Sequence, residues 1–255
     1  MKISQACPTA STTTPVRLIK RPFENGTETT RSTSPVQRFA LFSNISLTAC
    51  DEIISAGQEK AYLPRHSIFF QGDPSNQVFL LVLGSVKSTQ ITASGSEVIL
   101  RLSGPGELIG ATASGFKGFH RSTVQAMRLS KAIIWDSAIF AALMRRFPVL
   151  QHNLIQIVEK QLMDLEERFH EISTANVGGR LSREISRLMT RVGEPANGGV
   201  KINLSREELA QMTGTTLFTV SRLLSQWKTK GIVSTGRQFL TVHNTQKLAN
   251  LYAGE

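Results

Sequence analysis

The segment NLSREELAQMTGTTLFTVSRLLSQWKTKGIV, residues 203–233, constrains the fold more tightly than any other part of the 255-residue chain. Ser205 is followed three places on by Glu208, the pairing in which a hydroxyl and a carboxylate satisfy the free amides of a helix start. The helix so begun turns Leu209 and Met212 inward and stops before Gly214. Thr215 or Thr216 can cap a second helix. On that helix Val220, Leu223, Leu224 and Trp227 make one apolar stripe at helical spacing. Two short helices joined by a tight glycine turn predict a helix-turn-helix unit. The GIVSTGRQFLTVHN that follows predicts two short strands around a Thr-Gly turn, a wing.

The second helix carries more apolar groups than one stripe accounts for. Leu217 and Phe218 open it, beside Ser221 and Arg222. Either they are further core residues, or they face something other than the core. In a helix-turn-helix unit the second helix presents its N-terminal residues to the DNA major groove. Arg222 has the forked donors that match guanine O6 and N7, and Leu217 and Phe218 can touch thymine methyl groups. Thr215, Thr216, Ser221 and Ser225 suit phosphate contacts. These seven residues are the candidate DNA-binding set.

Charge is distributed in keeping with that reading. The chain has a formal net charge of +10. Residues 39–176 carry 12 basic against 12 acidic side chains, whereas residues 177–255 carry 11 against 5. A neutral middle beside a basic C-terminal block predicts that the last part meets a polyanion.

Upstream, residues 1–38 are rich in Ser, Thr and Pro and predict a disordered tail. No apolar stretch precedes Cys7, so neither a leader peptide nor a lipid anchor is expected. Residues 39–147 hold a helical lead capped by Ser46, then short β-rich runs such as VFLLVLG, SVKSTQIT and KAIIWD between glycine turns. They predict an antiparallel jelly roll. Residues 148–175 predict one long helix starting at Pro148. On it Val158, Leu162, Leu165, Phe169 and Ile172 alternate in steps of four and three, and Leu150 and Leu154 extend the stripe backwards. That is a coiled-coil-like seam and predicts a homodimer. NVGG, residues 176–179, reads as a hinge into the DNA-binding block of residues 176–255. Leu181, Ile185 and Leu188 face inward on the next helix, and GEPANGG reads as a loop.

Taken in order, these pieces resemble the CRP/FNR family of transcription regulators. The stretch IFFQGDPSNQVFLLVLGSVKSTQITASGSEVILRLSGPGELIG is similar to the family's effector-domain pattern, with a Gly-Asp turn, a Leu-x-x-Gly-x-Val-Lys hairpin and a Gly-Glu-Leu cassette start. The resemblance implies an α+β protein: a double-stranded β-helix sensor, a dimerisation helix and a C-terminal winged helix-turn-helix. It implies a homodimer on a palindromic promoter site, with double-stranded DNA as partner and RNA polymerase as a further candidate partner. It implies neither an enzyme nor a membrane protein, and a cytoplasmic location.

Departures from the family sharpen the expectations. In cyclic-AMP binders the cassette supplies a Glu for the ribose and an Arg-Ser pair for the cyclic phosphate; Glu107, Arg121 and Ser122 are the candidates here. Leu165-Glu166 stands where the cyclic-AMP receptor offers two hydroxyls to the adenine, so the expected ligand is not cyclic AMP. Cys7 and Cys50 are too few for an iron–sulfur cluster. A haem sensor would need an axial ligand from His120, His152 or His170. No His/Glu cluster that a cupin-type metal enzyme requires occurs in residues 61–135. In the recognition helix, Leu217, Phe218 and Arg222 replace the receptor's Arg, Glu and Arg, and Ser221-Arg222 resembles the Ser-Arg pair of the anaerobic-regulator branch.

Overall fold

The computed structural model describes residues 35–92, 95, 97–110, 118–196 and 198–252. The tail read at residues 1–38 lies outside them up to residue 34. Its last four residues form a short 3-10 turn, Pro35–Arg38, and Val36 packs on the sensor core, so the folded part begins before Phe39. A second turn, Ala40–Phe42, leads to helix α1 (Leu47–Ser55), where the Ser46 hydroxyl accepts from the Ala49 amide at 3.4 Å.

The strands that follow are β1 (Gln58–Tyr62), β2 (Ser67–Phe69), β3 (Gln77–Leu83), β4 (Val86–Ile91), β5 (Glu97–Ser103), β6 (Leu108–Ile109), β7 (Thr123–Ala126) and β8 (Ser130–Asp136). They form two four-stranded antiparallel sheets, ordered β1-β8-β3-β6 and β2-β7-β4-β5. Phe79, Leu81 and Ile109 from one sheet interdigitate with Phe69, Val86 and Val124 from the other, the packing that closes a jelly roll. Trp135 covers the outer side, and its indole nitrogen donates to the Ile53 carbonyl at 2.7 Å, pinning α1 to β8.

The chain then turns helical: α2 (Ser137–Arg146), α3 (Pro148–Thr174) and α4 (Val177–Val192). Pro148 sits in the first turn of α3, where its missing amide costs nothing. With 27 residues this helix is about 40 Å long at 1.5 Å per residue. The last block comprises β9 (Glu194–Ala196), β10 (Gly199–Ile202), α5 (Arg206–Thr213), α6 (Leu217–Thr229), β11 (Val233–Thr235), β12 (Leu240–Val242) and α7 (Thr245–Asn250). Among the described residues no helix is long and apolar enough to cross a membrane.

Three local expectations are corrected. Leu150 and Leu154 are buried against the sensor core of their own chain, with Leu41, Phe42 and Phe140, so Leu154 does not belong to an exposed seam. Ile155, one residue on, is exposed and continues the three-four spacing instead. The NVGG glycines are not a hinge: the break falls at Ala175 and Asn176, and both glycines lie inside the first turn of α4. The Asn176 side chain caps that turn by accepting from the Gly179 amide at 2.9 Å. Gly178 is required by close approach, since a Cβ there would lie 2.2 Å from the Tyr252 hydroxyl oxygen. GEPANGG is likewise not a plain loop; β9 and β10 within and after it extend the wing to a sheet ordered β11-β12-β10-β9.

Candidate nucleic-acid interface and sensor site

The recognition unit is built by local rules. Ser205 and Glu208 make both halves of a capping box, with the Glu208 amide 3.1 Å from the Ser205 hydroxyl and the Ser205 amide 2.8 Å from the Glu208 carboxylate. α5 ends in Gly214, whose φ of 61° is the left-handed conformation that glycine adopts without strain. Thr216 then caps α6, its hydroxyl accepting from the Thr219 amide at 3.2 Å.

α6 has two unlike faces. Val220, Leu223, Leu224 and Trp227 are buried in one cluster with Leu209, Leu181 and Ile185. On the other side Leu217 is 50% exposed and Phe218 78% exposed. Arg222, Ser225 and Thr216 are exposed, while Thr215 and Ser221 are half-buried. Arg222 has no ion-pair partner among the described residues. The N-terminal half of the second helix therefore offers one outward cation, Arg222, beside two outward apolar groups, with a fully buried back. The wing contributes a cation that sequence reading passed over: Arg237 is exposed in the turn between β11 and β12. Lys201 lies over the Phe239 ring at 4.8 Å on the same sheet. Single charges in a short turn or strand give no periodic signal, which is why neither stood out.

This module is tied to the rest of the chain through charge. Asp164 and Arg191 form an ion pair between α3 and α4. Arg168 meets Glu184 at 2.5 Å, and Arg187 meets Glu171 at 2.7 Å. Glu171 and Glu184 are both buried. Apolar contact adds to this, because Ile99 and Leu102 of β5 share the core of the DNA-binding block. Asp164, Arg168 and Glu171 of the long helix thus form an internal seam with α4, while Glu159, Lys160, Glu166 and Glu167 stay exposed. Sequence showed the charges but not that α4 carried their partners.

Among the described residues no hydrogen bond or ion pair joins Glu107 to Arg121 or Ser122. Glu107 is on the turn before β6. Its carboxylate accepts from Arg101 Nη2 at 2.9 Å and from the Gly104 amide at 3.2 Å, and lies 3.7 Å from Arg191 Nε. It is a brace at the joint between the sensor and α4. Burial, and then the neighbouring Arg101 guanidinium, lower the pKa of Arg191, with Glu107 and Asp164 pulling it back. Arg121 and Ser122 lead into β7 in the other sheet. Arg121 is exposed, its carbonyl accepting from Gln90 Nε2 at 2.8 Å, and Ser122 is half-buried. The intervening residues 111–117 lie outside the described residues.

His120 is buried, with its ring stacked on Phe69 at 3.7 Å and its Nδ1 lacking a hydrogen-bond partner among the described residues. Desolvation lowers its pKa, and Asp73 partly opposes the shift. His152 and His170 are exposed on α3. Among the described residues no group of three or more His, Cys, Asp or Glu side chains could hold a metal ion.

On α3, Ile155, Val158, Leu162, Leu165, Phe169 and Ile172 remain exposed in a single chain. Leu165 is 63% and Phe169 73% exposed.

Known proteins share this arrangement. A family model described as a Crp-like helix-turn-helix domain matches residues 179–251, and one described as a cyclic nucleotide-binding domain matches residues 59–147. The Cyclic AMP receptor protein of Thermus thermophilus is 26% identical over 214 residues, covering 84% of this chain and 97% of that protein. Electron transport regulator A of Shewanella oneidensis is 28% identical over 222 residues, covering 85% of each. The structure of FixK2 from Bradyrhizobium japonicum has the same fold, with a TM-score of 0.66 at 23% identity over 78% of this chain and 98% of that one.

Proposed function

Because the chain belongs to the CRP/FNR family of DNA-binding transcription regulators, we propose that it acts as a homodimer joined along α3, reading an inverted repeat through α6 under the control of its β-roll. The observation that carries this reading is the two-faced α6. Exposing Phe218 to 78% leaves a large apolar side chain in water, a cost that contact with thymine methyl groups removes. Arg222, exposed one helical turn further along the same face, supplies the forked donor for an adjacent guanine. Arg237 on the wing is suited to a flanking phosphate.

The stripe from Ile155 to Ile172 supports the dimer. Six large apolar groups at three-four spacing on one helix face match what a two-stranded seam buries. In such a dimer, recognition helices about 34–36 Å apart enter successive major grooves, which calls for a palindrome.

The relatives include a protein named as a cyclic AMP receptor, but cyclic AMP is not the ligand we assign here. Glu107 is committed to Arg101, and Leu165-Glu166 offers the adenine no pair of hydroxyls. Arg121 and Ser122 stay the candidates for any anionic effector group. A haem reading draws no support from His120, which is packed against Phe69 and Phe79.

Selection from random-sequence DNA by gel shift tests the reading. It should return an inverted repeat bound by a dimer. Recovery of no consensus, with binding equal on all sequences, would refute it. Calorimetry with cyclic AMP should show no micromolar binding, and tight binding abolished by Arg121→Ala would reverse the ligand assignment.

A further inference from the structure

Arg180 stands in the first turn of α4 and reaches two other helices at once. Its Nη1 donates to the Ala175 carbonyl at 2.9 Å, at the residue that closes α3. Its Nε donates to the carbonyl of Thr213, the last residue of α5, at 3.4 Å. Both acceptors sit at helix C-termini, where carbonyls lack intrahelical partners and the helix dipole favours a cation. The turn after α5 serves the neighbouring carbonyls from its own backbone: the Gly214 amide goes to Gln211 and the Thr215 amide to Ala210. The Thr213 carbonyl goes to Arg180. One planar guanidinium, whose donors are fixed relative to one another, therefore ties the end of the long helix to the turn of the helix-turn-helix unit.

The ion pairs Asp164–Arg191, Arg168–Glu184 and Glu171–Arg187 fix α3 against α4. Arg180 carries that constraint on to α5, and α5 packs directly on α6. In a two-fold dimer α3 lies along the axis. The angle between α3 and the α5–α6 pair then decides how far apart the two α6 helices enter the duplex.

The geometry points to Arg180 as a positioning residue that sets the half-site spacing the dimer accepts. It does so by holding the C-terminal ends of α3 and α5 at a fixed angle, and the inference rests on the dimer and inverted-repeat reading above.

The test is a spacer scan. Binding is measured to the selected palindrome, to versions with one or two base pairs added or removed at the centre, and to a single half-site. The proteins are the wild type, Arg180→Gln and Arg180→Lys, each checked by sedimentation and thermal unfolding. The wild type should favour one spacing by about tenfold. Arg180→Gln should flatten that preference to within about threefold while leaving single-half-site affinity within about twofold. Arg180→Lys, a point charge that cannot span both carbonyls in the same way, should fall between them. If Arg180→Gln keeps the wild-type spacing profile, or weakens the single half-site and every spacing alike, Arg180 is a stability residue and the inference is overturned. A wild type with no spacing preference overturns the inverted-repeat reading, and this inference with it.

Discussion

Arg187 donates Nη1 and Nη2 to the two carboxylate oxygens of Glu171 at 2.8 and 2.7 Å, a two-pronged ion pair between α4 and α3. Its Nε turns to Glu184 at 3.1 Å. Burial alone would lower the arginine's pKa. The hydrogen bond to Glu171 and the fields of Glu184 and Glu171 outweigh it, so the pKa is raised and the charge stays on.

Removing one side of this pair should cost more than removing both. Arg187→Leu leaves Glu171 buried without its main partner, a change worth roughly 3–5 kcal/mol in comparable pairs. Arg187→Leu with Glu171→Leu replaces the pair by packed apolar groups and should recover most of that loss. Urea unfolding of the two variants measures the difference. Equal losses would mean that Glu171 finds adequate solvation or another cation, such as Arg183 at 4.0 Å.

His120 gives the sensor a pH dependence of known sign. Its folded pKa lies below the ordinary value near 6.5 because the ring is buried. As pH falls through about 6.5, the unfolded chain takes up a proton that the folded chain does not. The stability from a neutral His120 is therefore present above that pH and lost below it. His120→Phe, which keeps an aromatic face against Phe69, should lose less stability between pH 7 and pH 5 than the wild type. Urea midpoints at the two pH values measure this, and parallel losses would remove His120 from the account.

Gly178 separates a hinge from a close contact. If the glycine served flexibility, Gly178→Ala in the first turn of α4 would be neutral or stabilising. Because the new methyl would meet the Tyr252 ring, with Cζ at 2.3 Å, the substitution should destabilise by about 1–3 kcal/mol. Tyr252→Ala in the same chain should relieve most of that added cost, which thermal unfolding of the single and double variants would detect.

Leu154 and Leu165 should fail in different ways. Leu154→Ala opens a cavity in the sensor core and should cost about 2–5 kcal/mol while leaving a dimer in sedimentation. Leu165→Asp puts a charge on the exposed stripe and should leave a folded monomer with weak binding to a palindrome. A dimeric Leu165→Asp would sink the α3 seam.

What could be read from sequence followed the range of the interactions involved. The capping box at Ser205 and Glu208, the Gly214 turn and the buried stripe from Val220 to Trp227 are set by residues three or four apart, and the structure has them as read. The seam was misjudged at its start because Leu154 and Ile155 are both apolar neighbours on one helix; only the presence of Leu41 and Phe140 decides which of them is buried. The contacts of Glu107 were hidden for the same reason. A Gly-Glu-Leu motif shows a carboxylate at a turn, but not that Arg101 and Arg191 reach it from β5 and α4. Gly178 depended on Tyr252, more than seventy positions away. Pairings between distant segments leave no periodic trace in one sequence.

Phe218 and Arg222 make the sharpest prediction, because each should change the DNA sequence selected and not merely the affinity. They lie one turn apart on the exposed face of α6, so they can meet adjacent base pairs. Arg222→Ala should lose about 1–3 kcal/mol per half-site and relax selection at one guanine, since no other described side chain on that face has a forked donor. Phe218 accepts no hydrogen bond, so a cytosine amino group opposite it gains nothing, while a thymine methyl gains apolar contact. Phe218→Glu replaces that contact with an acceptor for cytosine N4 and should shift the neighbouring position from thymine toward cytosine. Its exposure means that the substitution should leave the thermal midpoint nearly unchanged, as surface changes do. The measurement is site selection with wild type, Arg222→Ala and Phe218→Glu in parallel with thermal unfolding. A Phe218→Glu protein that is unstable and keeps the wild-type base preference would make Phe218 a core residue, and the outward face of α6 would lose its assigned role.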